Sequence, residues 1–283
     1  MTGTYEKIRW PDAARCAVML SFDLDGDTIW ANGNRSYPDG ESFIRSTSIG
    51  SYGPKRSVPR ILELLNKYEL PATFFVPAKV MEENPELLQS IDQAGHEIGH
   101  HGYSHERFVD LTRDQQEAII MRSQTIFQQV IGKKAKGYRT PSGDWSRETA
   151  SLLNELGFMY SSSMRGDDRP YRTVIDGKVT DFIEISPKWE LDDFVQFGYN
   201  IFPAEPAGQN RISGIEQVYN NFKQEFDGYC RYGLCFVLMM HPQIIGKPGR
   251  IQMLEHLLQH MKLHDDIWFA KGEEIAQWWR ANY

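Results

Sequence analysis

Hydrophobic positions along the chain form short continuous runs that alternate with longer amphipathic stretches. Apolar runs of this kind are typical of strands buried on both faces, and they occur at 17–22, 72–76, 234–240 and 267–270. Between them, apolar residues recur at the three- and four-residue spacing of an amphipathic helix. This alternation predicts an α/β fold with a mainly parallel sheet, closed or nearly closed, and helices outside it.

Capping residues predict where helices begin and end. Thr112 and Gln115 have the spacing of a capping box that opens a helix ending at Gly132. Ser213 and Glu216 predict a second box at the start of another helix. Further helices are predicted at 57–68, 85–95, 146–157, 248–264 and 273–280.

The stretch 26–56 is rich in glycine, serine, asparagine and aspartate. We expect a long loop here, and loops of this length are usually functional or disordered. No internal repeat or linker-like composition divides the chain. Residues 1–283 are therefore expected to form one domain.

Composition narrows the classes of function. The formal net charge of -7 argues against a nucleic-acid partner, because such binding needs clustered lysine and arginine. The chain has no apolar leader segment and no run of about 18 apolar residues, so neither a signal peptide nor a membrane partner is expected. Cys16, Cys230 and Cys235 lie in apolar surroundings and are interpreted as reduced core thiols. Together these features predict a cytoplasmic protein.

Chemically active side chains follow three of the predicted strands. Asp23, Asp25 and Asp27 follow the first strand, several histidines lie within 96–105 after the second, and His241 ends the strand at 234–240. Parallel α/β folds place their functional groups at the carboxyl ends of strands. We therefore expect these side chains to meet at one edge of the sheet.

The histidines indicate a metal site. His101 and His105 together with one carboxylate make a ligand set that leaves open positions on a divalent metal. The alternative is a polar surface loop. The same spacing recurs at His256, His260 and His264 on a predicted helix, where a solvated face is the preferred interpretation.

The carboxylates of the acidic cluster can have different functions. Side chains two residues apart on a strand point the same way, so Asp23 and Asp25 can face one site. One carboxylate can then bind metal while the other acts as general base. A calcium-type loop or simple turn capping is the alternative, and the histidines favour the catalytic interpretation.

In this pattern the chain resembles the polysaccharide deacetylase superfamily (NodB homology, carbohydrate esterase family 4). The resemblance spans residues 20–242 and depends on four motifs in the family's order. These are Ser21-Phe-Asp23-Leu-Asp25, the histidine segment 95–105, Arg139-Thr-Pro141, and Leu238-Met-Met-His241-Pro242. The resemblance implies an irregular (β/α) barrel of the NodB-homology type.

The resemblance also implies a role for each matching residue. Asp25, His101 and His105 would bind one divalent metal, preferably zinc, with cobalt, manganese or nickel as alternatives. Asp23 would be the general base, oriented by Arg139, although a purely structural Arg–Asp pair is the alternative. His241 would be the general acid. The backbone N–H near Ser142 would help to bind the oxyanion.

Several positions depart from the common polysaccharide deacetylases. Leu24 separates the two aspartates, Ser142 stands where an aromatic residue is usual, and Trp189-Glu-Leu-Asp192 replaces the Asp-x-x-Asp-Trp motif. These departures resemble the cytoplasmic branch with cyclic-imide hydrolases, allantoinase-like proteins and a peptidoglycan-deacetylase-like member. Ser142, Trp189 and Asp192 are the candidate substrate-binding residues.

Aromatic residues concentrate in two predicted loop regions. One interpretation is that they cover a small ligand or stack on a sugar. The other is that they pack the loops together or form the interface of a homo-oligomer. The residues are Trp30, Tyr37, Trp189, Phe197, Tyr199 and Phe202.

Three hypotheses of function follow. The favoured one is hydrolysis of a non-peptide carbon–nitrogen bond in a small cyclic imide or ureide. The second is N-deacetylation of an amino sugar, chito-oligosaccharide or peptidoglycan. The third is a non-catalytic metal- or ligand-binding module, which Asp23 and His241 argue against because a binder needs neither a base nor an acid.

Overall fold

The computed structural model describes residues 8–142, 144–198 and 212–283, and these residues form one nine-stranded sheet flanked by helices. The strand order is β6-β7-β5-β4-β3-β2-β1-β8, and β9 also pairs with β1. Every pairing is parallel except the β6–β7 hairpin. The strands are β1 (Cys16–Asp23), β2 (Thr73–Val76), β3 (Glu97–His100), β4 (Gly137–Tyr138), β5 (Tyr160–Ser161), β6 (Tyr171–Ile175), β7 (Lys178–Glu184), β8 (Cys235–Met240) and β9 (Ile267–Phe269).

Helices follow most of the strands, and the expected α/β fold is confirmed. They are α1 (Thr28–Asn34), α2 (Ile44–Tyr52), α3 (Val58–Lys67), α4 (Ala78–Glu83), α5 (Pro85–Gln93), α6 (Arg113–Ile131), α7 (Thr149–Glu155), α8 (Asp193–Phe197), α9 (Ile215–Tyr232), α10 (Pro242–Ile245), α11 (Pro248–Met261) and α12 (Gly272–Asn282). Within the described residues, none of these helices has both the length and the apolar character needed to span a membrane.

Strand β1 lies at the centre of the fold. All eight of its residues are buried, and it pairs with β8 along Ala17–Phe22 and with β2 along Ser21–Asp23. The backbone pairing continues for one more residue, because Leu24 donates its N–H to the carbonyl of Phe75 at 2.8 Å. The acidic cluster therefore begins on a rigid strand end.

A single bridge brings the two sides of the sheet together. Asp192, in the segment that follows β7, pairs in parallel with Met239 of β8. The sheet thus approaches a closed barrel at this point. The bridge places the Asp192–Asp193 pair beside His241, which directly follows β8.

The prediction of a long loop at 26–56 is wrong. The stretch contains α1 and α2, and a further helical turn spans Gly53–Ser57. Its helical signal is weak because the buried face of α2 consists of Ser46 and Gly50 rather than large apolar side chains. Gly50 lies so near the turn after β1 that a Cβ there would come 2.0 Å from the carbonyl oxygen of Gly26.

One of the two predicted capping boxes is also wrong. Gly214, with no side chain, occupies the cap position of α9, while Ser213 donates its N–H to the carbonyl of Gln196. The other box is confirmed: Thr112 and Gln115 cap α6 reciprocally. Helix α6 ends at Gly132, whose φ of 72° suits a glycine.

We expect Gly50→Ala to destabilise the protein by about 1–3 kcal/mol, because the added methyl group must push apart two backbone segments. Gly228→Ala is the matched control, since Gly228 is also a helical glycine but a Cβ there would meet no atom within 4 Å. Alanine is the better helix former, so the control should be neutral or stabilising by up to about 1 kcal/mol. Urea unfolding measures both, and equal stability of the two variants would contradict the close approach.

Candidate active site

Three ligand-type side chains converge beyond the carboxyl ends of β1 and β3. Asp25 Oδ1 lies 3.4 Å from His101 Nε2 and 3.7 Å from His105 Nε2, and all three side chains are buried. Asp25 Oδ1 has no hydrogen-bond partner among the described residues, although the other oxygen accepts a bond from Gln243 Nε2 at 3.2 Å. A buried carboxylate oxygen that faces two imidazoles is an incomplete arrangement without a cation.

The donor set fits a divalent metal. Two ligands at about 2.1 Å from a tetrahedral zinc ion lie roughly 3.4 Å apart, close to the spacing seen here. Burial by itself raises the pKa of Asp25, but the nearby histidines His105, His101 and His241 outweigh it and lower that pKa to about 2. Burial lowers the pKa of His105 to about 4, which favours the neutral imidazole that binds metal.

His101 is held in one orientation. Its Nδ1 lies 2.7 Å from the carbonyl oxygen of Arg139, and because a carbonyl only accepts, Nδ1 carries the proton. Nε2 is thereby left with its lone pair toward Asp25. The neighbouring His100 points to the other face of the strand and packs between Phe127 and Tyr138.

The loop that carries His105 is strained and tightly bonded. His105 and Ser142 both have positive φ, 61° and 49°, and Ser142 Oγ lies 3.1 Å from His105 Nδ1. Non-glycine residues in this region cost free energy and persist only where the surroundings impose them. Asn32 of α1 supplies part of that support, since its amide donates to the carbonyls of Ser104 and His105 at 2.6 and 3.0 Å.

Asp23 and Arg139 form a buried ion pair at the edge of the three-ligand group. Arg139 Nη1 donates to Asp23 Oδ1 at 2.6 Å, and Nε and Nη2 donate to the carbonyl and hydroxyl of Ser162. The guanidinium also stacks over the ring of Phe75, 4.2 Å from its centroid. Asp23 Oδ2 stays turned toward the site, 3.9 Å from His241 Nε2.

His241 lies on the other side of the group and is bound by Asp193. Its Nδ1 lies 2.7 Å from Asp193 Oδ1, and its backbone N–H donates to the same carboxylate. Burial lowers the pKa of His241, but the hydrogen bond and charge of Asp193 prevail, with Asp192 adding to them, and raise that pKa to about 10. The buried pair therefore favours a protonated imidazole whose Nε2 faces the site.

A cavity of about 350 Å³ opens over these groups. The three candidate substrate-binding residues all line it: Ser142, Trp189 and Asp192. Asp192 has a second task, because its side chain accepts the backbone N–H of Phe194 at 2.8 Å and so caps α8.

The aromatic residues of the two predicted loops have different environments. Trp30 and Phe197 are fully buried in the core, whereas Trp189 is 53% exposed at the cavity. Packing therefore accounts for the first two. Tyr199 and Phe202 lie outside the described residues.

Several residues that support the site are not indicated by the sequence pattern. Asp193 adjoins the predicted Asp192 but has no motif of its own, and Asn32 lies in the segment expected to be a loop. Gln243 follows the His241-Pro242 motif by one position and is equally inconspicuous. The only sequence signal is that each of them lies within a few residues of a strand end or of a segment that carries predicted site residues.

In the second group of histidines, His256 is exposed as predicted, whereas His260 and His264 are half-buried. Asp227, His260 and His264 have ligand atoms within 4.8 Å of one another, and His260 Nε2 lies 2.7 Å from Asp227 Oδ1. Lys223 Nζ lies 3.2 Å from Asp227 Oδ2. The Asp227 carboxylate thus already has a cationic partner, and the cluster is explained as a polar contact between α9 and α11.

Known proteins share this fold over nearly the whole chain. The polysaccharide deacetylase family model matches residues 51–161. The peptidoglycan deacetylase of Helicobacter pylori is 31% identical over 93% of this chain and 96% of its own length. The chain belongs to the polysaccharide deacetylase family.

Solved structures agree with that assignment. A Mycobacterium smegmatis protein described as a polysaccharide deacetylase has a TM-score of 0.89 at 32% identity, covering 97% of this chain and 93% of its own. Puue allantoinase has a TM-score of 0.84 at 22% identity, covering 99% and 95%. At that identity the second likeness concerns the fold alone.

We expect the purified protein to bind one divalent metal tightly and Asp25→Ala to lose it, because the substitution removes a ligand and leaves two imidazoles. His260→Ala is the control and should retain the metal. Elemental analysis after dialysis measures the stoichiometry. If Asp25→Ala kept one equivalent of metal and His260→Ala lost it, the metal site would have to be assigned to the α9–α11 cluster instead.

Proposed function

We propose that the protein hydrolyses a non-peptide carbon–nitrogen amide bond in a small substrate, with the help of one divalent metal. One observation carries the proposal: a carboxylate and an imidazolium, each bound by its own buried partner, flank a three-ligand group beneath one cavity, which both of them and the two ligand histidines line. Amide hydrolysis needs a base for the attacking water and an acid for the leaving nitrogen.

Asp25, His101 and His105 would hold the metal, preferably zinc. Two imidazoles and one carboxylate suit zinc and leave it open positions, and cobalt, manganese and nickel accept the same ligands. When bound, the metal supplies Lewis-acid polarisation of the substrate carbonyl.

Asp23 acts as the general base. Arg139 engages Oδ1 and stabilises the carboxylate, so Oδ2 is the oxygen that accepts a proton from the attacking water. Its distances of 3.9 Å to His101 Nε2 and to His241 Nε2 place that oxygen between the metal ligands and the acid.

His241 acts as the general acid. Asp193 binds Nδ1, so the proton available to the substrate is on Nε2, which faces the cavity. An amide nitrogen leaves readily only when it is protonated, and His241 Nε2 lies 3.9 Å from Asp23 Oδ2, close enough for the acid and the base to act on the same bond.

The size of the cavity favours a small substrate, and we assign Ser142, Trp189 and Asp192 to its binding. About 350 Å³ lies near the lower limit of ligand pockets, which start at about 300 Å³. Among substrates of this size we favour a cyclic imide or ureide.

The second candidate is N-deacetylation of an amino sugar or a peptidoglycan fragment. The 31% identity to the Helicobacter pylori peptidoglycan deacetylase supports it, and it uses the same residues in the same roles.

A cytoplasmic location fits the three buried free cysteines. A homo-oligomer stays a prediction.

Activity is tested on metal-loaded protein with hydantoin, succinimide and allantoin in parallel with N-acetylglucosamine and chito-oligomers. We expect ring opening by the wild type and a fall in kcat of about 10²–10⁴-fold in Asp23→Asn, since general base catalysis has that size. Asp27→Asn is the matched control, because Asp27 belongs to the same cluster but its side chain makes no capping bond. Acetate release without ring opening would select the second candidate. Full activity of Asp23→Asn would exclude Asp23 as the general base, and failure of the metal-loaded wild type on every compound would support a binding module.

Asp193→Asn tests the acid. Removal of the carboxylate lowers the pKa of His241, and the acid must be protonated to donate. The alkaline limb of the kcat/KM profile should therefore move to lower pH, and kcat should fall while metal content stays constant. A profile identical to that of the wild type would exclude His241 as the titrating acid.

A further inference from the structure

One cation in the cavity takes no part in the mechanism above. Arg165 follows β5, lines the cavity together with Ser163, Trp189 and Asp192, and has no carboxylate within ion-pair distance in the described parts of the chain. The other cavity arginine, Arg139, is fully engaged by Asp23 and Ser162. Arg139 is thus ion-paired with a carboxylate, whereas Arg165 is not.

The hydrogen bonds of Arg165 are incomplete. Nη1 donates to the carbonyl of Ser163, whereas Nε is buried without a partner. Burial and the nearby charge of Arg139 lower the pKa of Arg165, and the carboxylates of Asp192, Glu184 and Asp23 oppose that shift from beyond ion-pair distance. A cavity-lining cation in this state is poised to accept an anion.

The position of Arg165 is fixed by its surroundings. Its guanidinium stacks on the ring of Trp189, 4.4 Å from the centroid. The buried Glu184 accepts the backbone N–H groups of Ser163 and Met164 at 2.6 and 2.8 Å, and Lys188 Nζ donates to the carbonyl of Arg165 at 3.1 Å. The loop is therefore organised before any ligand binds, which reduces the entropy lost on binding.

We propose that Arg165, stacked on Trp189, forms an anion subsite that selects amide substrates carrying a carboxylate beside the scissile bond. A single guanidinium provides one positive charge, which matches a monoanionic carboxylate. A phosphate site needs several converging donors or a helix N-terminus, and Arg165 is the one unpaired cation that lines the cavity among the described residues. The proposal rests on the proposed amide hydrolysis and defines its substrate class.

Two pairs of compounds that differ by one carboxylate test the subsite. They are hydantoin with hydantoin-5-acetate, and N-acetylglucosamine with N-acetylmuramic acid. For the metal-loaded wild type, kcat/KM should be higher for the carboxylated member of whichever pair is hydrolysed. In Arg165→Gln the ratio of charged to neutral kcat/KM should fall about 10-fold to 100-fold, the loss expected for a charge-assisted hydrogen bond. Arg165→Lys should recover part of it.

Arg169→Gln is the matched control, because Arg169 lies four residues further along the same loop and outside the cavity lining. Its ratio should equal that of the wild type. Two results would overturn the subsite and leave the proposed amide hydrolysis intact. One is equal kcat/KM for the two members of a hydrolysed pair, and the other is a charged-to-neutral kcat/KM ratio that Arg165→Gln leaves unchanged.

Binding provides a readout that does not depend on turnover. Titration calorimetry of metal-loaded Asp23→Asn should show tighter binding of the carboxylated compound, and Arg165→Gln in that background should abolish the difference. Such selective binding without hydrolysis by the wild type would support the subsite and reject the proposed function. Equal binding of the two members of each pair, or binding of neither, contradicts the subsite.

Discussion

The buried carboxylate of Asp25 is the constraint on which the rest of the site depends. Its Oδ1 has no hydrogen-bond partner among the described residues and faces two imidazole nitrogens at 3.4 and 3.7 Å. Taking a carboxylate out of water is costly unless a cation compensates for the lost hydration. In the proposed function, a metal ion would satisfy all three ligands at once and compensate for this cost.

His101, Asp23 and His241 are each oriented by a hydrogen bond from a neighbouring residue, so little reorganisation is needed when substrate binds. The carbonyl of Arg139 orients His101, and the same residue's guanidinium holds Asp23. Asp193 performs the equivalent task for His241. The proposed base and acid are therefore oriented from opposite edges of the sheet, which meet at the Asp192–Met239 bridge. Preorganisation of this kind is a main source of catalytic power.

Much of this site could be predicted from the sequence because strand ends have simple rules. An apolar run followed by aspartates, and another followed by His241, give the face and the edge on which side chains emerge. Local patterns could not reveal Asp193, whose importance comes from a bridge between segments almost 50 residues apart. Arg165 escapes prediction for the same reason, since its lack of a partner is a property of the folded cavity.

The polar segment after β1 shows a different limit of sequence reasoning. Helix α2 packs through Ser46 and Gly50, so its contact is made by backbone and leaves no hydrophobic periodicity to detect. Strands β4 and β5 have two residues each, which is too short for any alternation to appear. Hydrophobic patterning detects elements that are held by large side chains and misses those held by close backbone approach.

The central claim is that Asp25, His101 and His105 jointly bind a metal ion between the base and the acid. Anomalous diffraction from a zinc-soaked crystal, recorded on both sides of the zinc absorption edge, tests it most directly. The account predicts one strong peak about 2 Å from Asp25 Oδ1 and from the Nε2 atoms of both histidines. A peak bound instead by Asp193 and His241, or only by Asp227 and His260, would contradict it.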